Sequence, residues 1–356
     1  MIESIAGIIF TFGIIIFIHE LGHFIVLKVL GVYVEEFSFG FGKAILQKIK
    51  SGTVYSIRLI PLGGYVKPKG EDINDYKGEN DEYFSKKWYE RIMIVIAGPV
   101  MNYILSFLIF FTVIFWVGKP VPSSKAIIGD VAEGFPADLA GLKSGDRIVG
   151  IDGKKIDTWK DMMNMISPKI EKEIVLEYER DGKIYSIRIV TRRDPASERG
   201  VIGIVPYTEY KRVSFFEAIK MSFAQIIYWT SMTIRTIAMS IYRRQKPDIA
   251  GPIGIVQIVS KAAQSGFWDF LFLVGLISIA VGFFNLLPLP LLDGGHLVMY
   301  IFEGVSGKRL TPRIIKYVTS VGIVILASIL VFATYSDITR IYKHHKIKLQ
   351  SNEAAK

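Results

Sequence analysis

Residues 4–29 read SIAGIIFTFGIIIFIHELGHFIVLKV, and this run decides the fold. Its charged side chains are Glu20 and, at the far end, Lys28. At about 1.5 Å of rise per residue it is long enough to cross a hydrocarbon core of ~30 Å. Inside it stands His19-Glu-Leu-Gly-His23. Ionisable groups within a membrane span are expensive and are usually functional, so a soluble helix with three surface residues is a poor reading. Side chains four apart on a helix share one face about one turn apart, as two nitrogen ligands of a tetrahedral Zn²⁺ require. Glu20, next to the first histidine, reaches a water at such a metal without being a ligand itself. A single acid, Glu3, precedes the run, so the basic leading region of a signal peptide is missing.

Three further apolar runs follow, over Ile92–Gly118, Phe267–Leu292 and Ile314–Tyr335. They predict a polytopic α-helical membrane protein with four transmembrane helices. Composition agrees, with 51% apolar, 13% aromatic and 21% charged residues, against about 25% charged in an average globular domain. The pattern excludes a disordered chain and argues against an ordinary cytosolic enzyme. The net charge of +10 does not indicate a nucleic-acid partner, because the basic residues are scattered among 33 acidic ones. Lys and Arg accumulate instead in the cytoplasmic loops of membrane proteins. Cysteine is absent, so no disulfide forms and any metal must use nitrogen and oxygen ligands.

Orientation follows from the short loops. The stretch from Lys28 to Arg91 holds eleven Lys and Arg residues, and Lys308, Arg309, Arg313 and Lys316 lie between the third and fourth spans. The positive-inside rule puts both in the cytoplasm and the N-terminus outside. The tail with Arg340, Lys343, Lys346 and Lys348 conflicts with this count, since four spans would return it to the outside.

Between the first two spans the chain reads as short strands, 34–39, 44–49 and 54–60, punctuated by glycines and turning at Ser51-Gly52. This predicts a membrane-associated β-sheet on the cytoplasmic side that dips into the bilayer, tolerated where it lines a cavity and not lipid. After Pro120-Val-Pro122 comes a soluble stretch with a helix from Thr158 to Ile166 and strands 173–179 and 184–190 joined at Asp181-Gly182. Its Ala140-Gly-Leu-Lys-Ser-Gly-Asp-Arg-Ile-Val-Gly-Ile-Asp-Gly153 resembles the signature of a circularly permuted bacterial PDZ domain. That resemblance implies a peptide groove at Gly200, Ile202, Gly203 and Ile204, filled by strand addition. The amphipathic 213–244 has too short an uncharged core to span and reads as an interfacial helix.

The chain thus divides into transmembrane helix 1 with HExxH (1–31), the β-sheet with a re-entrant loop (32–91), transmembrane helix 2 (92–118) and one inserted extracytoplasmic PDZ domain (119–207). An amphipathic helix and linker (208–266), transmembrane helix 3 (267–296), a cytoplasmic loop (297–313), transmembrane helix 4 (314–336) and a basic tail (337–356) complete it.

A catalytic zinc takes three protein ligands and keeps an open position. The third candidate is Asp293, in Asn285-Leu-Leu-Pro-Leu-Pro-Leu-Leu-Asp-Gly-Gly-His296, where Pro288 and Pro290 unwind the helix. His296 is a rival, and Asp293 also reads as a helix N-cap. Asp269 and Asp337 lie near the wrong ends of their spans, and Asn102 reads as packing beside Gly98.

HELGH in the first span, Gly98-Pro99 with Asn102 in the second, the PDZ signature and N-x-x-P-x-P-x-L-D-G-G in the third together resemble the site-2 protease family, in particular its regulator of sigma-E protease branch. Phe39-Gly-Phe-Gly42 and Pro61-Leu-Gly-Gly-Tyr-Val66 belong to the same likeness. Where the best-known members carry two PDZ domains, this chain has room for one. The resemblance implies one Zn²⁺ per chain held by His19, His23 and Asp293, with Glu20 as the base. It also implies substrate contacts at Asn285, Gly63, Gly64, Tyr65, Gly40 and Gly42. The expected protein is an intramembrane zinc metalloendopeptidase of the bacterial inner membrane, its active site near the cytoplasmic side. It would cut single-span substrates, anti-sigma factors or remnant signal peptides, in regulated intramembrane proteolysis. The alternatives are a non-catalytic PDZ membrane adaptor with a residual metal site, and a zinc transporter. A transporter would space its ionisable residues along several spans, whereas here they converge on one depth.

Overall fold

The computed structural model describes residues 2–72, 76–194, 197–243, 251–308 and 310–354. Along the chain run α1 (Ile2–Val29), β1 (Val34–Lys50), β2 (Thr53–Pro68), α2 (Trp88–Val117), β3 (Lys119–Pro122), β4 (Ile128–Val131) and α3 (Pro136–Leu139). Then come β5 (Arg147–Ile151), β6 (Lys154–Lys155), α4 (Trp159–Ile166), β7 (Glu173–Arg180), β8 (Lys183–Val190), β9 (Arg192–Arg193), β10 (Gly200–Val201), β11 (Ile204–Pro206) and β12 (Thr208–Lys211). Five helices follow: α5 (Phe215–Tyr242), α6 (Pro252–Ser265), α7 (Phe267–Asn285), α8 (Asp293–Ser306) and α9 (Pro312–Ala354). The elements form two compact units, residues 1–114 with 215–356, and residues 115–214.

In the first unit, four helices among the described residues are long and apolar enough to cross a membrane: α1, α2, α7 and the 314–340 part of α9. They coincide with the four expected runs. The 28-residue α5 is not one of them, and it exposes Phe216, Ile227 and Ile241. Two boundaries differ from the sequence reading. The third span stops at Asn285, and residues 297–306, expected in a loop, belong to α8. Residues 337–354, expected as a tail, continue α9. Arg244 and Arg309 lie outside the described residues.

The expected short strands prove to be two long bent ones. Residues 44–50 of β1 run antiparallel to 53–58 of β2, and 36–39 run antiparallel to 64–67. Pairing from Glu36 with Val54 to Phe39 with Ile57 joins the halves side by side. The sheet order is therefore 44–50, 53–58, 36–39, 64–67, with the last segment at an edge. Gly40 and Gly42, at φ +91° and +84°, carry β1 through its bend in a region that side chains resist. The Pro61–Val66 stretch of the family likeness is strand. Behind the sheet, Leu27, Val32, Val34, Tyr83, Ile94, Val95 and Tyr300 form one buried cluster that ties α1, α2 and α8 together.

The second unit has its own core around Ile148, Ile151, Met162, Ile174 and Leu176. Its main sheet is antiparallel in the order β6-β5-β7-β8. The β7–β8 turn, Asp181-Gly182, has φ of 53° and 73°, the double left-handed geometry of a type I′ hairpin. Thr158 caps α4 by accepting the Asp161 N–H at 3.1 Å. The Asp146 of the signature is buried and receives both Nε and Nη2 of Arg180 at 2.6 Å. The helix and the two strands expected from Thr158 to Val190 are therefore present.

Candidate metal centre and active site

The face of α1 that carries His19 and His23 meets the start of α8. His19 Nε2 lies 3.1 Å from Asp293 Oδ2 and 3.2 Å from His23 Nε2, and His23 Nε2 lies 3.6 Å from the same carboxylate oxygen. A tetrahedron with bonds of about 2.0 Å has edges of roughly 3.3 Å, so the three atoms are spaced as three corners of a zinc site. His23 Nδ1 lies 2.8 Å from the Ile94 carbonyl, which accepts its proton and leaves a lone pair on Nε2. Asp293 Oδ2 is buried and has no hydrogen-bond donor. Nitrogen lone pair and orphan carboxylate oxygen thus face one point, an arrangement that a cation satisfies. The donor set fits zinc.

The segment after α7 puts Asp293 there. Helical hydrogen bonding ends with Leu286 and Leu287 bonded back to Phe283 and Phe284, and a Pro288–Pro290 turn leads to Leu291 at φ +76°. That value is strained for a branched side chain, at a cost of order 1–3 kcal/mol, and such residues cluster at functional sites. A β-carbon on Gly294 would stand 2.2 Å from the Leu287 carbonyl oxygen, so the turn folds onto α8 only with glycine there. The N-cap of α8 is Leu292, and Asp293 is the first helical residue, where the helix dipole favours its negative charge. It is not the N-cap itself. The rival ligand His296 stands apart from the three-atom cluster, its ring tilted against Tyr300 at 6.2 Å.

Around the cluster lies a cavity of about 480 Å³ whose walls include Glu20, Tyr65, Val66 and Asn285. The edge segment 64–67 therefore borders the cavity with Tyr65 and Val66. Gly63 and Gly64 support that edge, for a β-carbon on Gly64 would stand 2.6 Å from the Ser38 carbonyl oxygen across the strand pair. Gly40 and Gly42 are not among the residues that line the cavity; they shape the bend. A larger groove of about 1130 Å³, between α1 and the hairpin, is walled by Phe10, Phe17, Phe39 and Ile57 and holds no histidine or acid.

Composition and motif gave no sign of the far wall. There the Tyr83 and Tyr300 hydroxyls lie 3.1 Å apart. Arg91 donates to Glu303 at 2.5 Å with both side chains buried, and its guanidinium stacks 4.5 Å above the Tyr300 ring. The period of α8 could have found Tyr300 and Glu303, seven and ten residues after Asp293 and so on neighbouring faces. At the cavity mouth stands Glu71. One side of it is open to solvent, yet the surrounding protein, and secondarily the charge of Asp72, push its carboxyl up to about 7.

Asn102 differs from its sequence reading. Wholly buried, it faces His19, its Nδ2 standing 3.2 Å from His19 Nδ1. The neighbouring Gly98 also touches the site, so both residues of the Gly-Pro-x-x-Asn element border the histidines.

In the second unit a groove of about 340 Å³ runs between α4 and the 200–205 segment. Ile202, Gly203 and Ile204 line it with Gly200, opposite Met163 and Ile166. All four residues expected at the peptide groove are therefore together.

Residues 7–329 match the profile of peptidase family M50. The chain belongs to this family. An M50 member is a metalloprotease, and the site-2 protease likeness is borne out along the chain. Zinc metalloprotease RasP of Geobacillus kaustophilus is 28% identical over 419 residues, covering 96% of this chain and 99% of that protein. A Rickettsia conorii protein provisionally named a zinc metalloprotease is 33% identical over 357 residues, covering 95% of this chain and 99% of its own length. Among solved structures, the PDZ domain of an SdrC-like protein of Listeria innocua covers 23% of this chain and 93% of that chain at 26% identity, with a TM-score of 0.21. This M50 chain is thus a metalloprotease, a hydrolase of peptide bonds, and four of its described helices are long and apolar enough to cross a membrane.

Proposed function

We propose that His19, His23 and Asp293 hold one Zn²⁺ per chain and that Glu20 is the general base of an endopeptidase that cuts transmembrane segments of single-span proteins. The observation that carries this is the convergence of two imidazole nitrogens and an orphan carboxylate oxygen within one cavity of a membrane-spanning unit, with Glu20 in its wall. When bound, zinc supplies an electrophile that activates water and polarises the scissile carbonyl. Glu20 takes the proton from the attacking water and delivers it to the leaving amine. The Asn285 amide donates to the substrate backbone or to the developing oxyanion.

A transmembrane substrate arrives as a helix whose peptide groups are bonded to one another, so it must unwind before attack. Segment 64–67 has Phe37 and its neighbours paired on one side only among the described residues, and its other side borders the cavity. An extended substrate strand adding there recovers the N–H and C=O bonds lost on unwinding. Tyr65 with Gly63 and Gly64 forms that platform, and Gly40 and Gly42 hold its shape.

Anti-sigma factors and remnant signal peptides are the substrate classes of this reading, in regulated intramembrane proteolysis at a bacterial inner membrane. The N-terminus and the 119–207 domain lie outside, and the zinc lies near the cytoplasmic side. The 119–207 domain is a PDZ filter that binds peptide along Gly200, Ile202, Gly203 and Ile204. Mapping the products of a single-span substrate in vesicles by mass spectrometry tests this function. New termini should fall inside the span, in its cytoplasmic half. Cuts confined to the aqueous ectodomain would overturn the intramembrane reading.

A further inference from the structure

His19 turns Nε2 towards Asp293 and His23, so its other nitrogen, Nδ1, faces away from the metal position and towards Asn102. A histidine that ligates through Nε2 carries its proton on Nδ1, and that proton seeks an acceptor. Asn102 stands at the right place, 3.2 Å away, but with its NH₂ end forward, donor against donor. Its Oδ1 is buried and has no partner. The two ends of a carboxamide have the same shape. Turned end for end, the amide brings Oδ1 onto the His19 proton and gives the orphan oxygen its donor.

The backbone of Asn102 is fixed from two helices. Its carbonyl oxygen lies 2.8 Å from Ser106 Oγ on α2 and 2.9 Å from Ser278 Oγ on α7. Ser106 Oγ also lies 2.9 Å from the Gly275 carbonyl oxygen. On α7 a β-carbon added to Gly282 would come within 3.2 Å of Asn102 Cβ, so glycine admits the close approach. All of these residues are buried, and α7 leads through its terminal turn to Asp293. The helix α2 thus orients both imidazoles through Nδ1, His23 by the Ile94 carbonyl and His19 by the Asn102 side chain.

We propose that Asn102 is a positioning residue: its side-chain oxygen accepts the Nδ1 proton of His19 and holds the imidazole in the tautomer and rotation that present Nε2 to zinc. This rests on the reading of His19 as a ligand, and the test separates the two. Zinc affinity of the full chain in nanodiscs is measured by chelator competition for wild type, N102L, N102D and H19A. Loss of an outer partner of a metal-bound histidine costs about 10–100-fold in metal affinity. N102L, which fills the space without an acceptor, should lose zinc by that factor, whereas N102D, which keeps an acceptor oxygen, should hold it as tightly as wild type. Wild-type affinity in N102L, or equal loss in N102L and N102D, would reduce Asn102 to packing. Undiminished zinc in H19A would instead remove the ligand itself. Nitrogen-15 NMR of histidine-labelled, zinc-loaded wild type needs no variant: a protonated, hydrogen-bonded His19 Nδ1 is predicted, and a bare or metal-bound Nδ1 would refute the proposal.

Discussion

A β-carbon on Gly98 would stand 2.3 Å from His23 Nε2 and 2.8 Å from His19 Cε1. The histidines therefore occupy the space that the glycine leaves, and α2 lies against the very atoms that face the metal position. Replacement by alanine forces the rings or the helix to move. Misplacement near 1 Å can cost on the order of 100-fold in rate, and overpacking costs about 1–3 kcal/mol of stability. G98A should lose activity on that scale together with bound zinc, read by turnover and metal content. Wild-type values for both would show that the site has slack that the geometry does not allow.

The Arg91–Glu303 pair joins α2 to α8 beneath the site. Removing one member leaves the other charge buried, a loss of about 3–5 kcal/mol. R91M and E303Q should each lower the unfolding midpoint sharply. The double variant should recover part of the loss, because no lone charge remains. Additive losses in the double variant would contradict coupling between the two side chains.

Glu71 supplies a pH signature. Its carboxyl, ordinarily near 4.5, is pushed up to about 7 by the protein packed around its enclosed side and, secondarily, by the charge of Asp72. Between those values the folded chain binds more protons at this residue than the unfolded chain does, so its contribution to stability falls as pH rises from about 4.5 to about 7. Thermal midpoints of wild type and E71Q should nearly coincide at pH 5, and wild type should be the less stable at pH 8. A constant difference between them at both values would mean that Glu71 does not titrate in this window.

Asp337 ties α9 to α6. The first turn of α6 starts at Gly251, which offers no side-chain cap, and Asp337 accepts the N–H of Gly251 at 3.1 Å and of Gly254 at 2.8 Å. Loss of a capping oxygen costs about 0.5–2 kcal/mol. D337A should speed hydrogen exchange at 251–254 and lower stability by that amount, while D337N should fall between. Unchanged exchange would mean that the capping bonds contribute nothing.

How far the sequence could be read depended on the range of the interaction. The four spans are legible because apolar length is written residue by residue, and the closeness of His19 and His23 because helical spacing puts their rings in fixed relation. Asp293 was a candidate from its motif, but only the Pro288–Pro290 turn and the tight packing of Gly294 bring it to the histidines. The strands expected at 34–39, 44–49 and 54–60 coincide with paired segments. Their continuity is not legible, because Gly40, Gly42, Pro61 and Gly63 are local strand breakers and the flanking pairs, Phe39 with Gly64 and Phe41 with Ile60, are distant in sequence. The helix α8 escaped notice because it begins where a span was expected to end. The place of Asn102 beside His19 is not legible in the sequence, because the contact spans 83 positions and has no local signature.

Glu20 is proposed to work beside a zinc held by three other side chains. The most direct test pairs two readings on one preparation: zinc per chain, and cleavage of a single-span substrate, in wild type and E20Q. Glutamine keeps the size of the side chain and removes the base. One zinc per chain in both proteins, with cleavage abolished in E20Q, is the predicted result. Undiminished cleavage by E20Q would contradict it.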